Sequence, residues 1–295
     1  MRPIAAFLLL AFGLSWLVAL PLWFGDGIAS PWLSVVAVAM MTTPAIAAIL
    51  VVFFIERPAN RAQALGLRPI GSLRRFAAFL GLALVIPIVL VVAALVTGSL
   101  LGVYHADLVH FSGFQAQLDA LGAGELPMPI GVLVAIQCSA VILGALINTI
   151  PALGEEIGWR GWLLPKLLPL GPVPAILVSG VIWGAWHAPL VLLGYNYPTA
   201  PGWLGVLAMI GMCTLVGGVF GWLRLRSGSV WPAALAHGSF NAAAGLSFLF
   251  SSADFPIDTT QATILGWSGW IVPLGVVVVL VATGRFSARD SGVSP

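Results

Sequence analysis

Residues 128–153, MPIGVLVAIQCSAVILGALINTIPAL, run for 26 positions without one charged side chain. A bilayer core of about 30 Å takes roughly 20 residues of apolar helix, so this stretch is long enough to cross it. The whole chain agrees, because 60% of its 295 residues are hydrophobic and 7% are charged, against about 25% charged in soluble domains. So few charges cannot cover the surface of a soluble protein, which excludes that class.

Seven other stretches are similarly apolar, and the first is expected to be a retained span because it lacks a convincing small-x-small cleavage site. The eight spans are predicted at about residues 4–24, 32–55, 76–103, 128–153, 172–194, 202–223, 230–251 and 262–283. We therefore expect an all-α, polytopic membrane protein with about eight transmembrane helices. No loop has room for a soluble domain, so residues 1–295 are predicted to form a single membrane domain with a catalytic core at about 150–245.

The distribution of charge predicts the orientation, because cytoplasmic loops of membrane proteins carry the excess of Lys and Arg. With the N-terminus inside, all 12 bases fall on the cytoplasmic side. These bases are Arg2, Arg57, Arg61, Arg68, Arg74, Arg75, Arg160, Lys166, Arg224, Arg226, Arg285 and Arg289. The outer side receives the acids Asp26, Asp107, Asp119, Glu125, Asp254 and Asp258. Both termini are therefore predicted to be cytoplasmic, and the absence of a basic tract argues against nucleic acid as a partner.

Two kinds of small residue are expected to serve packing. Gly180 with Gly184, and Gly217 with Gly221, have the small-xxx-small spacing that lets transmembrane helices approach closely. The two cysteines, Cys138 and Cys213, lie in apolar runs, and we predict free thiols there.

Ionisable side chains within membrane spans are costly and indicate functional sites. The first such segment is GEEIGWR at 154–160. On a helix Glu156 and Arg160 are four apart and predict an ion pair, whereas Glu155 points about 100° away and needs a partner elsewhere. The alternative is that both carboxylates lie at the wet interface near Lys166.

Two histidines lie in later spans. His187 follows Trp183 by one turn on the same face, and Pro189 is expected to kink the helix just past it. His237 and Asn241 are four apart and present an imidazole and an amide on one face. Hydrogen bonds between packed helices are the alternative explanation for each.

Glu, His, His and Asn from three helices are the groups needed to activate a water and stabilise an oxyanion. In one arrangement Glu155, His187 and His237 bind Zn²⁺, which lowers the pKa of a bound water. In the other no metal takes part: Glu155 and His187 deprotonate water, while His237 and Asn241 donate hydrogen bonds to the intermediate. The sequence does not separate these two, because the HExxH spacing of many zinc sites is absent.

At these residues the chain resembles the CPBP intramembrane proteases, which include type II CAAX prenyl endopeptidases and bacteriocin-processing or self-immunity proteins. Their pattern is EExxxR, then FxxxH, then HxxxN or HxxxD on successive membrane helices. The matching residues here are Glu155, Glu156 and Arg160, then His187, then His237 and Asn241. Trp183 replaces the phenylalanine of the second motif.

The resemblance implies an eight-helix fold with a catalytic cavity open toward the cytosol. It implies that Glu155 and His187 activate water and that His237 and Asn241 stabilise the oxyanion, with Glu156, Arg160 and Trp183 supporting the site. The expected function is hydrolysis of a peptide bond in a membrane-associated peptide or protein, with the lipid bilayer as surroundings. The alternatives are a non-catalytic membrane scaffold or self-immunity protein, and a metal or proton transporter.

The choice of basic residues also indicates the kind of organism, and with it the substrate and the location. Lys166 is the one lysine among the 12 bases, and Ala and Gly are abundant, which indicates a GC-rich prokaryote. We therefore expect a multi-pass protein of a prokaryotic plasma membrane, and prenylated C-terminal peptides are not the predicted substrates.

Overall fold

The structure, a computed structural model, describes residues 2–123 and 128–286. Over these ranges the chain is helical and contains no β-strand, and one isolated antiparallel bridge joins Ala106 to Ser251. The longer helices are α1 (Arg2–Trp23), α2 (Leu33–Glu56), α3 (Leu73–Leu100), α4 (Ile130–Leu170), α5 (Pro172–Trp186), α6 (Gly202–Ser227), α7 (Trp231–Ala244) and α8 (Trp267–Ala282). Glu125, Arg289 and the rest of the C-terminus, which the predicted orientation used, lie outside the described residues.

Each of the eight predicted spans contains a helix, but the helices differ in length. Five of them, α1 to α4 and α6, are long and apolar enough to cross a membrane. Helix α5 has 15 residues and α7 has 14, which correspond to only about 20 Å each. The structure therefore supports an all-helical membrane protein, while the count of eight spans and the side of the termini remain predictions.

Shorter helices and a widened turn complete the described fold. The regular part of α4 runs over Ile130–Glu156 and continues as a π-helix over Ile157–Leu163, a widened form that is common at functional sites. The short helices are Gly27–Ala29, Arg61–Ala64, Ser112–Ala120, Ala188–Val191 and Leu246–Leu249.

The apolar surface and the core fit a lipid environment. Large side chains such as Leu9, Leu100 and Ile150 are 76%, 83% and 77% exposed. In a chain with so few charges, these side chains form a surface suited to acyl chains rather than water. The core lies where α7 packs against α4 and α3, and where α6 packs against α5.

Glycine lets α5 and α6 approach closely, as the sequence predicted for one of its two glycine pairs. A side chain at Gly180 would clash with the Thr214 backbone, and one at Gly184 would clash with the Ile210 backbone. The small-xxx-small interpretation of this pair is therefore confirmed.

Contacts between loops define two ends of the helix bundle. At one end Lys166 Nζ lies 2.6 Å from Glu56 Oε1, and Arg75 Nη2 donates to the Arg226 carbonyl at 2.6 Å. This end gathers arginines that the sequence assigned to the cytoplasm. At the other end the Tyr104 hydroxyl donates to the Ser247 carbonyl at 2.6 Å. Ser252 N also donates to the His105 carbonyl at 2.9 Å, so two of the three loops that carry the predicted outer acids, those with Asp107 and Asp254, lie together at this end.

Candidate active site

The predicted site residues lie on three helices, α4, α5 and α7, which bring them together. Glu155 and Glu156 close the regular part of α4, immediately before its π-helical turn. His237 lies in the middle of α7. The sequence placed His187 inside the fifth span, with a kink just past it at Pro189; in the structure α5 ends at Trp186, and His187 is its C-terminal cap.

Pro189 explains why α5 stops there. A proline clashes with the carbonyl four residues before it and disfavours helical geometry in the preceding residue. The chain restarts as the short helix Ala188–Val191, and Trp23 Nε1 donates to the Pro189 carbonyl at 2.9 Å. The break fixes His187 at a turn instead of in a straight helix.

Glu156 is the centre of a buried ionic network. Its Oε1 accepts from Arg160 Nη1 at 2.8 Å and from His237 Nδ1 at 3.0 Å. Glu156 is 0%, Arg160 1% and His237 4% exposed. Hydrogen bonds between ionised groups are about twice as strong as neutral ones, so this network joins α4 rigidly to α7. The predicted Glu156–Arg160 pair is present, and His237 is an additional partner.

Two aromatic rings enclose the Arg160 guanidinium. Its carbon lies 4.0 Å from the Trp183 ring centroid and 5.5 Å from that of Phe220, positions that give cation–π attraction. A Cβ at Gly217 would lie 2.6 Å from Arg160 Nη2. The absent side chain of Gly217 therefore leaves the room that the guanidinium occupies.

Glu155 finds its partner on the next helix. Trp183 Nε1 donates to Glu155 Oε2 at 2.7 Å, and Glu155 is 2% exposed. A buried carboxylate needs such a donor, because an unpaired one would be very costly. Phenylalanine, which stands at this position in the resembling family, has no N–H group to donate.

His187 is oriented by the backbone of the same tryptophan. Its Nδ1 lies 2.9 Å from the Trp183 carbonyl oxygen. A carbonyl only accepts, so Nδ1 carries the proton, and in the neutral ring Nε2 holds the lone pair. The half-buried ring also contacts Trp186 at 4.9 Å between centroids, and Cys213 Sγ lies 3.9 Å from Nδ1.

The rings around His237 complete the cluster. The Trp183 ring meets His237 edge-on at 5.3 Å, and Phe220 stacks on it at 5.7 Å. Asn241 is half-buried one turn along α7, and its side chain makes no hydrogen bond to the described residues. The structure thus joins Glu155, Glu156, Arg160, Trp183, His187 and His237 through direct contacts, whereas Asn241 is near them only through its helix.

Sequence reasoning missed two residues of this cluster. Phe220 touches both Arg160 and His237, and Gly217 was expected only to pack helices. A signal was present, because the two are three apart in α6 and so share a face. Nothing in the sequence, however, said that this face meets α4 and α7.

The predicted zinc ligands can be tested against this geometry. Among the described residues no three His, Cys, Asp or Glu side chains are placed to hold a metal ion together. Glu155 Oε2 accepts from Trp183, and Nδ1 of each histidine faces an oxygen, so Oε1 and the two Nε2 atoms are the atoms left for a metal. The structure does not group Glu155, His187 and His237 as one metal site, so the mechanism proposed below uses no metal, and zinc stays a prediction of the sequence.

Comparison with known proteins supports the resemblance seen in the motifs. Residues 137–243 match the sequence model of the family described as Type II CAAX prenyl endopeptidase Rce1-like. No curated protein matches the chain. The matched range contains all three motifs, from Glu155 to Asn241. Residues 137–243 of this chain therefore form a domain of the Rce1-like, type II CAAX prenyl endopeptidase family.

Proposed function

We propose that the protein is an intramembrane endopeptidase that hydrolyses a peptide bond of a membrane-associated peptide or protein. The observation that carries the proposal is the position of Trp183. Its indole N–H binds Glu155, its carbonyl binds His187, and its ring packs on His237. One residue thus contacts three of the four side chains proposed for water activation and oxyanion stabilisation, inside a domain of a peptidase family.

Glu155 and His187 are the proposed water-activating pair. Trp183 occupies one oxygen of Glu155, which leaves Oε1 to take a proton from water. His187 presents Nε2 as a second acceptor, because its Nδ1 is held by the backbone. As the water oxygen attacks the peptide carbonyl, Glu155 takes its proton and later gives it to the leaving amine, which is general base and then general acid catalysis.

His237 and Asn241 are the proposed oxyanion donors. Because Nδ1 of His237 faces Glu156, Nε2 is the nitrogen available to the substrate. In the protonated form of His237, Nε2–H donates to the oxyanion, and the two carboxylates of the site are balanced by Arg160 and His237. The Asn241 amide supplies a second donor from the same helix face, and one such donor contributes about 10²–10³ in kcat.

The surroundings proposed for this reaction follow from the helices. The five helices that could span a bilayer support a site in or beside a membrane, and the proposed location is a prokaryotic plasma membrane with membrane-associated peptides as substrates. Because the composition of the chain indicates a prokaryote, where prenylated peptides are not the predicted substrates, unmodified membrane peptides are the first substrates to test.

The test is cleavage of a fluorogenic membrane-peptide library by the purified protein in detergent or vesicles. Glu155→Gln should lower kcat by about 10²–10⁴-fold, the size of general acid–base catalysis. Glu56→Gln is the matched control, because Glu56 also accepts an indole N–H, from Trp162 at 3.0 Å, but belongs to a separate ion pair. A chelator should leave the activity unchanged.

Three results would contradict the proposal. Full activity of a folded Glu155→Gln protein would exclude the assigned base. Loss of activity on chelation, restored by zinc, would favour the metal arrangement. Full biological function of both Glu155→Gln and His237→Gln would indicate a scaffold or immunity protein, and ion flux in vesicles without cleavage would indicate a transporter.

A further inference from the structure

The segment between α2 and α3 concentrates positive charge at one end of the helix bundle. Residues 57–75 contain five arginines and no acidic residue. All five side chains are exposed: Arg57, Arg61, Arg68, Arg74 and Arg75. The segment lies at the end where the structure gathers the arginines, since Arg75 donates to a carbonyl of α6 there. It therefore presents a cationic surface without a carboxylate of its own.

Three of these arginines are held by contacts within the protein, and two are not. Arg57 donates to a backbone carbonyl at 3.2 Å, and the Arg61 guanidinium lies 4.3 Å from an aromatic ring centroid. Arg75 donates to a carbonyl at 2.6 Å. Arg68 and Arg74 make no hydrogen bond, ion pair or ring contact with any residue that the structure describes. Their guanidinium groups are therefore free to meet a partner outside the protein.

An apolar groove begins beside these two free arginines. It has a volume of about 430 Å³ and lies between α3, α4 and α7, lined by Ile70, Phe76, Leu80, Leu146, Thr149, Trp231 and Leu235. Ile70 stands between Arg68 and Arg74 in the chain. The lining residues of α3 and of α7 belong to the first two turns of each helix. The groove therefore starts at the arginine-rich end and runs toward the middle of α4.

The groove is open to its surroundings. Ile70 and Trp231 at its start are 43% and 36% exposed, and Leu146 farther along is 55% exposed. The neighbouring α4 side chains Leu143 and Ile147 are 61% and 58% exposed, so this face of α4 is suited to acyl chains. Tryptophan is enriched at the level of lipid headgroups, which fits its place at the start of the groove. A lipid can therefore enter the groove from the bilayer.

We propose that this groove binds one anionic phospholipid, with an acyl chain along the groove and the headgroup phosphate at Arg68 and Arg74. Charge complementarity favours this occupant, because basic clusters beside membrane helices attract anionic headgroups. Arginine suits phosphate, since its planar N–H groups match the oxygen geometry. The first turn of α3 adds the positive end of a helix dipole and contains no acidic side chain. The site contains none of the residues assigned to catalysis, so it stands or falls independently of the proposed function.

The experiment measures lipid binding to the purified protein in detergent, without substrate. Native mass spectrometry counts bound dioleoyl phosphatidylglycerol or dioleoyl phosphatidylcholine, and thermal unfolding during the titration gives the affinity. Phosphatidylglycerol should bind saturably and more tightly than phosphatidylcholine. The double variant Arg68→Gln, Arg74→Gln should weaken phosphatidylglycerol binding by about 30-fold, because one arginine near the membrane surface contributes about fivefold.

Two matched controls separate a site from general attraction. Arg57→Gln with Arg61→Gln removes the same charge from the same segment, at arginines that the protein already holds, and should weaken binding by less than about threefold. Leu146→Trp fills the groove from an exposed position and should weaken binding by about tenfold, the effect of excluding roughly two methylene groups. Leu143→Trp, one turn earlier and outside the groove, should leave binding unchanged.

Three results would overturn the proposal. Equal binding of the two lipids would exclude an anionic headgroup at the site. Equal losses in the two double arginine variants would indicate general attraction to a basic surface. Unchanged binding by the folded Leu146→Trp protein would exclude the groove as the place of the acyl chain.

Discussion

Replacing Trp183 with phenylalanine removes one hydrogen bond and keeps an aromatic ring. The bond lost is the one from Nε1 to Glu155 Oε2, at 2.7 Å. The phenyl ring still lies beneath Arg160, whose guanidinium carbon is 4.0 Å from the present ring centroid. The His187 contact is to the backbone carbonyl and persists as well. Trp183→Phe therefore tests the positioning of Glu155 separately from the other contacts of the site.

The size of the effect follows from the type of bond. A hydrogen bond to a charged group contributes about 1.5–3 kcal/mol, and a tenfold rate change corresponds to about 1.4 kcal/mol. If that bond holds Glu155 in its reactive position, kcat should fall by about 10- to 150-fold. KM should change little, because Trp183 acts through Glu155 and is not assigned a contact with substrate.

Steady-state cleavage of a library-derived peptide gives kcat and KM, and thermal unfolding reports the folded fraction. Trp162→Phe is the matched control, because Trp162 Nε1 donates to Glu56 Oε2 at 3.0 Å in a comparable bond outside the site. Its kcat should stay within a factor of two of the parent. If Trp183→Phe is folded and its kcat also stays within a factor of two, the positioning role of Trp183 is refuted; if both variants lose only stability, the indole bonds are structural.

Two further predictions concern stability. Glu156→Gln leaves Arg160, 1% exposed, without its carboxylate, so the unfolding free energy should fall by about 3–5 kcal/mol. The control Glu56→Gln, at the partly exposed pair with Lys166, should lower it by about 0–1 kcal/mol. Equal losses in denaturant titrations would contradict a special role for the buried network. In the loop that follows α3, hydrogen bonds from the Ser112 side chain and from backbone N–H groups of His110, Ser112 and Val109 hold the pKa of Asp107 below its usual range. Its stabilising contribution is therefore complete above the unfolded value of about 4 and is lost as the pH falls below it, so thermal midpoints between pH 5 and pH 3 should fall more steeply for the parent than for Asp107→Asn. Parallel slopes would exclude this contribution.

The features that the sequence predicted are those whose physical cause acts within one helix. Helix formation in the apolar stretches follows from hydropathy and length, and the Glu156–Arg160 pair follows from a spacing of four residues. Charge also predicted that Glu56 and Lys166, and Arg75 and Arg226, belong to one end of the bundle, where the structure brings them together. These predictions need no knowledge of which helix lies beside which.

The sequence did not predict contacts between helices, because these depend on which helix lies beside which. Phe220 and Gly217 lie on a helix without an ionisable site residue, so only the packing of α6 against α4 and α7 reveals their place around Arg160. Arg224 carries the ordinary signal of a base at the end of a span, and its burial depends on the loop at Gly66, far away in the chain. Pro189 predicted a break near the end of α5 at Trp186, but the apolar stretch of sequence continues past that break.

The adjacent carboxylates take different partners because neighbouring residues of a helix point about 100° apart. Glu156 turns toward Arg160 and His237, and the resulting network fixes α7 against α4. Glu155 turns toward α5, where the indole N–H of Trp183 reaches it. A phenylalanine there would leave Glu155 to be held by water or substrate, whereas tryptophan holds it before substrate arrives. On this reasoning the exchange of one aromatic residue for another shifts the site from one ordered by its substrate toward one that is preorganised.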